Sequence, residues 1–440
     1  MQRVVIVGGG AGGLALATQL GRRFGRKGLA QVTLVDAART HVWKPLLHQL
    51  AAGSFDTHAE EIAYLAQARW NHFKFRLGAM VGLDRSARTL QLAASHDGRG
   101  EEISPATELH YDTLVIAVGS QTNDFGTPGA AQHSIKLDSP VAARHFNDRL
   151  INACIRAQSV PPQAGGARLA VTIVGGGATG VELAAELHAS ARVLSSYGFE
   201  HIHPQTDLKI VLIEAAPRLL SQLPERLGHA AVRELRKLAI EVHTGEKVVE
   251  VKPDSVITAS GKRIASTITV WAAGIKAPDF LVGLGGADAL EVNRLNQLVV
   301  DGNLRSTRDA RIFAFGDCAA CPQGDGGNVP PRAQAAYQQA MYLVRVLPQL
   351  WGGAVPPQPA KPFVFEDQGS LVSLSEYSSV GSLMGSLTRG SLFVEGQLAK
   401  LMYWGLHKQH QMALGGLKKT ALITLSEMLD RTHRPRIKLH

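Results

Sequence analysis

The chain has 440 residues, of which 45% are apolar and 19% charged; this is the composition of a globular protein with room for about two or three domains, not of a disordered one. A formal net charge of +9 predicts an electropositive surface able to meet phosphates, anionic lipid or nucleic acid, and composition does not choose among them. Three cysteines (Cys154, Cys318, Cys321) are too few for a disulfide framework and fit a reducing compartment.

The run "RVVIV" begins at Arg3, so no signal peptide is expected before the fold. It is followed by "QVTLVD", ending at Asp36, and "TLVIAVG", ending at Gly119. Short β-branched runs alternating with helical patterns predict buried parallel strands in a sheet covered by helices. The same order returns in "LAVTIV" from Leu169, "LKIVLIE" ending at Glu214 and "TVWAAG" ending at Gly274. Pro- and Gly-rich breaks are expected at 159–168, 321–332 and 351–362. Residues 363–397 read as Gly-punctuated strands, and from Leu398 a basic helical pattern runs nearly to the end. No segment approaches the ~18 uninterrupted apolar residues of a membrane-spanning helix.

The duplicated unit carries the chemistry. Gly8, Gly10 and Gly13 fit G-x-G-x-x-G between a strand and a helix, and Asp36 ends the next strand. Glycine lets the backbone turn tightly and approach a pyrophosphate, the helix N-terminus offers unpaired N–H groups, and the acid accepts from ribose hydroxyls. Gly175, Gly177 and Gly180 repeat the pattern, with Glu214 as the acid after an insertion at 188–207. A carboxylate there accepts from an adenosine 2′-hydroxyl and repels a 2′-phosphate, which favours NADH over NADPH; Arg218, four residues on, weakens that preference. Two dinucleotide sites suit a hydride donor and a hydride acceptor held face to face. Asp317, after the Gly316 turn in "RIFAFGDCA", is placed to bond along a flavin's ribityl chain or pyrophosphate.

Together "VVIVGGGAGG", "TLVIAVGS", "VGGGATGVE", "TVWAAG" and "FAFGDCA" resemble the two-dinucleotide-domain flavoproteins, the glutathione-reductase-like superfamily. Within it, "HVWKPLLHQLAAG" at 41–53, "PPRAQAAYQQA" at 330–340 and the basic C-terminus resemble the type II NADH:quinone oxidoreductases. The resemblance covers essentially the whole chain. It implies an α/β fold of two Rossmann-like domains plus a C-terminal α+β membrane-associating region. The FAD domain would comprise 1–158 with a return segment at 286–350, the NADH domain 159–285, and the C-terminal region 351–440. The implied enzyme is single-subunit and does not pump protons: hydride passes from NADH to non-covalent FAD, and two electrons pass to a membrane quinone of a respiratory chain. Gly8, Gly10, Gly13, Asp36, Gly119 and Asp317 would hold FAD, and Gly175, Gly177, Gly180, Glu214 and Gly274 would hold NADH. Gln334, Gln338 and Gln339 would line the quinone site, where amides donate to a carbonyl without burying charge; Gln338 and Gln339 are expected to be catalytic. Glu182 matches a functional glutamate of the family, although an acid in a helix's first turn is also ordinary dipole chemistry. Lys44 departs from the neutral residue expected before that proline.

Other chemistries remain as rivals: a sulfide:quinone oxidoreductase or soluble NADH oxidase on the same scaffold, or a non-catalytic NADH-responsive flavoprotein. The pair in "CAAC", Cys318 and Cys321, has redox-dithiol or half-zinc spacing, but no second pair exists and 41–53 contains no cysteine, so structural thiols and no metal are expected. His201, His203, His407 and His410 read as surface or interfacial, with no carboxylate spaced to complete a metal site. From Leu398, eight Lys and Arg stand against two acids. Leu401, Trp404, Met412, Leu417 and Leu422 sit among Lys400, Lys408, Lys418, Lys419, Arg431, Arg434, Arg436 and Lys438, with Tyr403 and Trp404 suited to headgroup depth. Such a helix can lie on an anionic lipid surface, or pack on the protein's own core or a second subunit, giving a homodimer. A nucleic-acid partner is not expected, for want of a motif. The expected place is peripheral, on the cytoplasmic face of the cell or inner membrane.

Overall fold

The computed structural model describes residues 1–55, 60–159, 169–196, 207–324, 326–351, 361–375, 377–385 and 388–430. The breaks expected at 159–168 and 351–362 fall mostly outside the described residues, and His201, His203, Arg431, Arg434, Arg436 and Lys438 lie outside them too. The chain forms two compact units. One comprises Met1–Trp43, Glu61–Gln121 and Ile275–Glu366; the other comprises Lys44–Glu60, Thr122–Gly274 and Asp367–His440.

In the first unit a five-stranded parallel sheet runs in the order Ile312–Ala314, Thr113–Ile116, Gln2–Val7, Ala30–Asp36, Lys74–Leu77. The central strand carries Val4, Val5, Ile6 and Val7, all buried, because helices cover the sheet and leave no polar alternation. The fingerprint helix Ala11–Leu20 lies close to helix Ala333–Val346. A Cβ on Gly12 would stand 2.5 Å from the Phe315 ring and 2.9 Å from the Ala336 carbonyl oxygen, so that approach needs glycine. A three-stranded antiparallel sheet, Thr107–His110, Thr89–Leu92 and Met80–Asp84, completes the unit.

The second unit repeats this plan. Its parallel sheet has the order Ser134–Lys136, Ile268–Trp271, Leu169–Val174, Leu208–Glu214, Glu241–Thr244, and its antiparallel sheet is Val248–Val251, Ser255–Thr258, Arg263–Ala265. In each unit the fingerprint strand is the middle one. Helix Leu47–Ala52 packs on helices Pro140–Gln158 and Ala178–Ser196. The Ser139 side chain caps Pro140–Gln158 by accepting from the Ala142 N–H, with proline at the first helical position. The fingerprint helix continues to Ser196, so residues 188–196 of the expected insertion are helix.

The strands expected after 363 form an antiparallel sheet, Gly369–Leu374, Ser378–Gly385 and Thr388–Glu395. The long helix expected from Leu398 is instead two, Gln397–Gly415 and Leu417–Asp430, broken where Gly416 takes φ +80. Its outward face carries Leu401 (61% exposed), Trp404 (38%) and Leu422 (69%). Its inward face corrects three sequence readings. Lys408, expected on the basic edge, is buried with Nζ 2.6 Å from Glu427 Oε2, pinning the two helices together. His407 is buried rather than superficial, and a carboxylate distant in sequence does reach it: its Nε2 lies 2.9 Å from Glu60 Oε2. The Tyr403 hydroxyl is buried, not set at headgroup depth. Among the described residues no helix is long and apolar enough to cross a membrane.

Candidate active site

The first glycine loop has a tight turn and open room of the kind a pyrophosphate needs. Gly8 has φ +102, and a Cβ on Gly13 would fall 1.9 Å from the Gly8 carbonyl oxygen, so no larger residue permits this strand-to-helix turn. A Cβ on Gly10 would meet no atom within 4 Å, which marks open room before the first helical N–H groups. Asp36 accepts from the Gly9 N–H at 2.6 Å and the Ala38 N–H at 2.7 Å; burial pushes its carboxyl up while these bonds pull it down. The Gly9 carbonyl oxygen accepts from the Tyr64 hydroxyl at 2.8 Å and lies 2.9 Å from His41 Nδ1. Burial lowers His41 to about 4, so the ring is neutral and its Nδ1–H donates. Neither His41 nor Tyr64 was expected from the sequence, because their meeting point is a backbone atom.

Gly119 follows strand Thr113–Ile116 with φ +72. Asp317 sits in the turn Gly316–Cys318, where its Oδ2 accepts from the Ser120 hydroxyl at 2.8 Å and its carbonyl accepts from Gln297 Nε2 at 3.0 Å. Gln339 is buried, and its Oε1 accepts from the Gly316 N–H at 2.8 Å, so it holds that turn. Gln338 makes a two-way bond with the Glu366 backbone, donating at 2.8 Å and accepting at 3.1 Å. Gln334 lies one turn earlier on the same helix. Acid end, glycine cradle and Asp317 turn together fit the diphosphate and polyol of FAD.

In the second unit the loop is reproduced nearly atom for atom. Gly175 has φ +115, a Cβ on Gly180 would fall 2.0 Å from the Gly175 carbonyl oxygen, and one on Gly177 would meet nothing within 4 Å. Glu214 accepts from the Gly176 N–H at 2.5 Å and the Ala216 N–H at 2.7 Å. The Arg218 guanidinium donates to the carbonyls of Leu220, Leu223 and Ser221 at 3.1, 2.9 and 2.8 Å. Three of its five N–H donors are thus engaged by the protein's own backbone. Gly274 has φ +65 and closes on the Phe125 ring, 2.3 Å from where its Cβ would be.

Glu182 is buried, with Oε1 accepting from the Ser373 N–H at 3.0 Å and Oε2 3.4 Å from His48 Nδ1. Burial, with the charge of Glu186 adding to it, raises its carboxyl to about 8 against the pull of the Ser373 bond. Burial lowers His48 to about 4, so no cation stands opposite. One helical turn on, the buried Glu186 accepts from the Ser54 hydroxyl at 2.5 Å. The sequence signal for Glu186 was available: "VELAAE" puts two acids at i and i+4 on one helix face, a spacing that destabilises a helix unless it serves something.

All three cysteines are buried and free. Burial pushes Cys318 up to about 12 and Cys321 up to about 11, and both thiols point to carbonyls, so neither is a ready thiolate. Among the described residues no group of three His, Cys, Asp or Glu is placed to hold a metal. Lys44 is exposed on the turn Lys44–Leu46.

The model of the pyridine nucleotide-disulphide oxidoreductase family matches residues 2–340. Over the full length of both chains the sequence is 41% identical to the type II NADH:quinone oxidoreductase of Haemophilus influenzae. The chain belongs to the type II NADH:quinone oxidoreductases. A more distant member, NdhA of Mycobacterium tuberculosis, is 29% identical over 92% of this chain and 82% of its own. The fold of this type II family member matches the structure of NDH2 from Plasmodium falciparum in complex with NADH, with TM-score 0.79 and 18% identity over 99% of this chain and 100% of that one. The sulfide:quinone oxidoreductase of Aquifex aeolicus shares the fold at TM-score 0.70 and 17% identity, over 94% and 92% of the two chains.

Proposed function

We propose that the protein oxidises NADH and reduces a quinone. The observation that carries this reading is the pair of acid-ended glycine cradles, one in each unit, on a chain that aligns end to end with a type II NADH:quinone oxidoreductase. Gly8, Gly10, Gly13, Asp36, Gly119 and Asp317 hold FAD without a covalent bond, and Gly175, Gly177, Gly180, Glu214 and Gly274 hold NADH. When bound, FAD supplies the two-electron chemistry that joins a hydride donor to a quinone. Glu214 prefers the free 2′-hydroxyl of NADH, supported by the engagement of Arg218 with three carbonyls. Gln334 and Gln338 offer amides to the quinone, while Gln339 sets the Gly316–Asp317 turn from behind. Glu182 is the acid: a carboxyl that keeps its proton to about pH 8 can hold the one proton each turnover draws from water.

FAD goes to the unit Met1–Trp43, Glu61–Gln121 and Ile275–Glu366 and NADH to the unit Lys44–Glu60, Thr122–Gly274 and Asp367–His440, in place of the expected 1–158 with 286–350, 159–285 and 351–440, because strand Ser134–Lys136 and helix Pro140–Gln158 pack into the second unit. The outward Leu401, Trp404 and Leu422, with Lys400, Lys418 and Lys419, lie on the surface of an anionic membrane at its cytoplasmic face, where a lipophilic quinone is reached. Anaerobic mixing tests the whole reading. NADH should bleach the yellow protein, and a quinone analogue should restore its colour faster than oxygen does. Recolouring by oxygen alone would make it an oxidase, and very slow turnover with every quinone a sensor.

A further inference from the structure

Residues Glu182 and Glu186 occupy successive turns of helix Ala178–Ser196, both buried. Around them stand groups from three other parts of the same unit. His48 and Ser54 come from helix Leu47–Ala52 and the residues after it, the Ser373 N–H from strand Gly369–Leu374, and Tyr403 from helix Gln397–Gly415. Among the described residues Glu182 has no Lys or Arg partner, and two buried polar atoms of this cluster, His48 Nε2 and the Tyr403 hydroxyl, have no hydrogen-bond partner. The two carboxyls are bonded differently. Glu186 Oε1 lies 2.5 Å from the Ser54 hydroxyl oxygen, whereas Glu182 takes a single backbone N–H and faces a neutral ring.

We propose that Glu186 is a positioning residue for the acid Glu182: the two carboxyls hold one proton between them, and Ser54 keeps Glu186 ionised so that the proton stays on Glu182. This rests on the NADH:quinone reading above and deepens it. Two buried carboxylates so close cannot both ionise at low cost, so the charge on one fixes the proton on the other. The balance is simple. NADH and quinone give NAD and quinol with one proton taken from water; the hydride accounts for both electrons and one hydrogen, and Glu182 passes on the second proton and is recharged by solvent. Glu186 keeps its charge throughout. Among the described residues His48 and Tyr403 are the other titratable groups facing Glu182; burial drives the imidazole down and the phenol up, so both stay neutral through the working range.

The test compares wild type, Glu186→Gln and Glu186→Asp as flavin-loaded holoenzymes with NADH and a water-soluble quinone analogue. Removing the neighbouring charge should move the alkaline limb of the kcat profile down by about one pH unit, and Glu186→Asp, which restores a charge, should return it most of the way. An unmoved limb in Glu186→Gln with full flavin content overturns the proposal. Infrared spectra supply a second reading that needs neither turnover nor that variant. Wild type should show one protonated-carboxyl C=O band at pH 7 that Glu182→Gln removes, and its absence from wild type overturns the proposal too. Wild type that reduces no quinone defeats the functional reading instead, and the infrared band still decides how the pair holds its proton.

Discussion

The two nucleotide units share a strand order, a glycine turn and an acid that grips the second glycine's N–H, yet they treat their surroundings differently. In the first, the loop is locked from outside: Tyr64 and His41 both meet the Gly9 carbonyl, and Gln339 clamps the Gly316 turn. In the second, no such side chains meet the Gly176 carbonyl among the described residues; it accepts instead from the Leu220 N–H. A loop braced by buried side chains suits a cofactor that stays, and one braced by neighbouring backbone suits a substrate that exchanges. That contrast agrees with the proposed assignment of FAD to the first loop and NADH to the second.

Glycine-to-alanine changes should break this comparison most completely. In Gly13→Ala and Gly180→Ala the new Cβ would fall 1.9 and 2.0 Å from a carbonyl oxygen, and relieving such a clash costs about 1–3 kcal/mol or more. Gly13→Ala is expected to purify colourless and inactive. Gly180→Ala should stay yellow but need at least about tenfold more NADH for bleaching. Absorbance spectra and anaerobic NADH titration check both, and a colourless Gly180→Ala would reverse the assignment of the units.

Much of this was legible in the sequence because it is local. Strand, glycine turn and acid lie within one βαβ unit, so the spacing of Gly8 to Asp36 and of Gly175 to Glu214 gives both cradles. What could not be read was every contact closed over long sequence separation. His41 and Tyr64 meet at Gly9, Ser54 reaches Glu186 across 132 residues, and Glu60 reaches His407. Helical periodicity shows an amphipathic C-terminus but not which cations it buries, since Lys408 turns inward to meet Glu427 on the next helix. The Gly415–Gly416 pair marks the break between the two C-terminal helices in the sequence itself.

Glu182 has no counterpart in the first unit's fingerprint helix, where Ala15 holds the same place after the last glycine. Glu182→Gln should cut quinone reduction about 10²-fold while leaving flavin content unchanged. It should also alter stability with pH. The folded carboxyl binds its proton up to about pH 8, against an ordinary 4.5, so the folded state carries the extra proton between those values. The stability this gives is fully present below pH 4.5 and is lost as pH rises through 8, at up to about 1.4 kcal/mol per pH unit. Glutamine has no such proton to lose. The melting temperature of Glu182→Gln relative to wild type should therefore climb from pH 6 to pH 8, and parallel curves would show that Glu182 is already ionised at neutral pH.

A smaller effect separates the two acids. Shortening Glu214 to serine removes the charge that opposes a 2′-phosphate, and the ratio of kcat/KM for NADH over NADPH should fall about tenfold, or about 1.4 kcal/mol. Arg218 cannot readily add to this while bonded to three carbonyls. The matching change Asp36→Ser should leave that ratio alone and loosen the flavin.

The last difference between the units is one of surface. Only the second carries the added sheet and helix pair, and there the apolar face turns outward at Leu401, Trp404 and Leu422, while Ala399 and Leu414 turn inward with Lys408. Deleting residues 398–440 would therefore tear out packed core together with any lipid contact. Leu401→Ser with Leu422→Ser changes two side chains that are 61% and 69% exposed, so melting temperature and turnover with a water-soluble quinone should hardly move. Binding to anionic vesicles should weaken about three- to tenfold, because the two side chains are already partly covered and only the rest of their area is available to lipid. Undiminished co-sedimentation of that variant would mean that this face packs on protein, and a wild type that elutes as a dimer beside a monomeric variant on size exclusion would identify a second copy as what it meets.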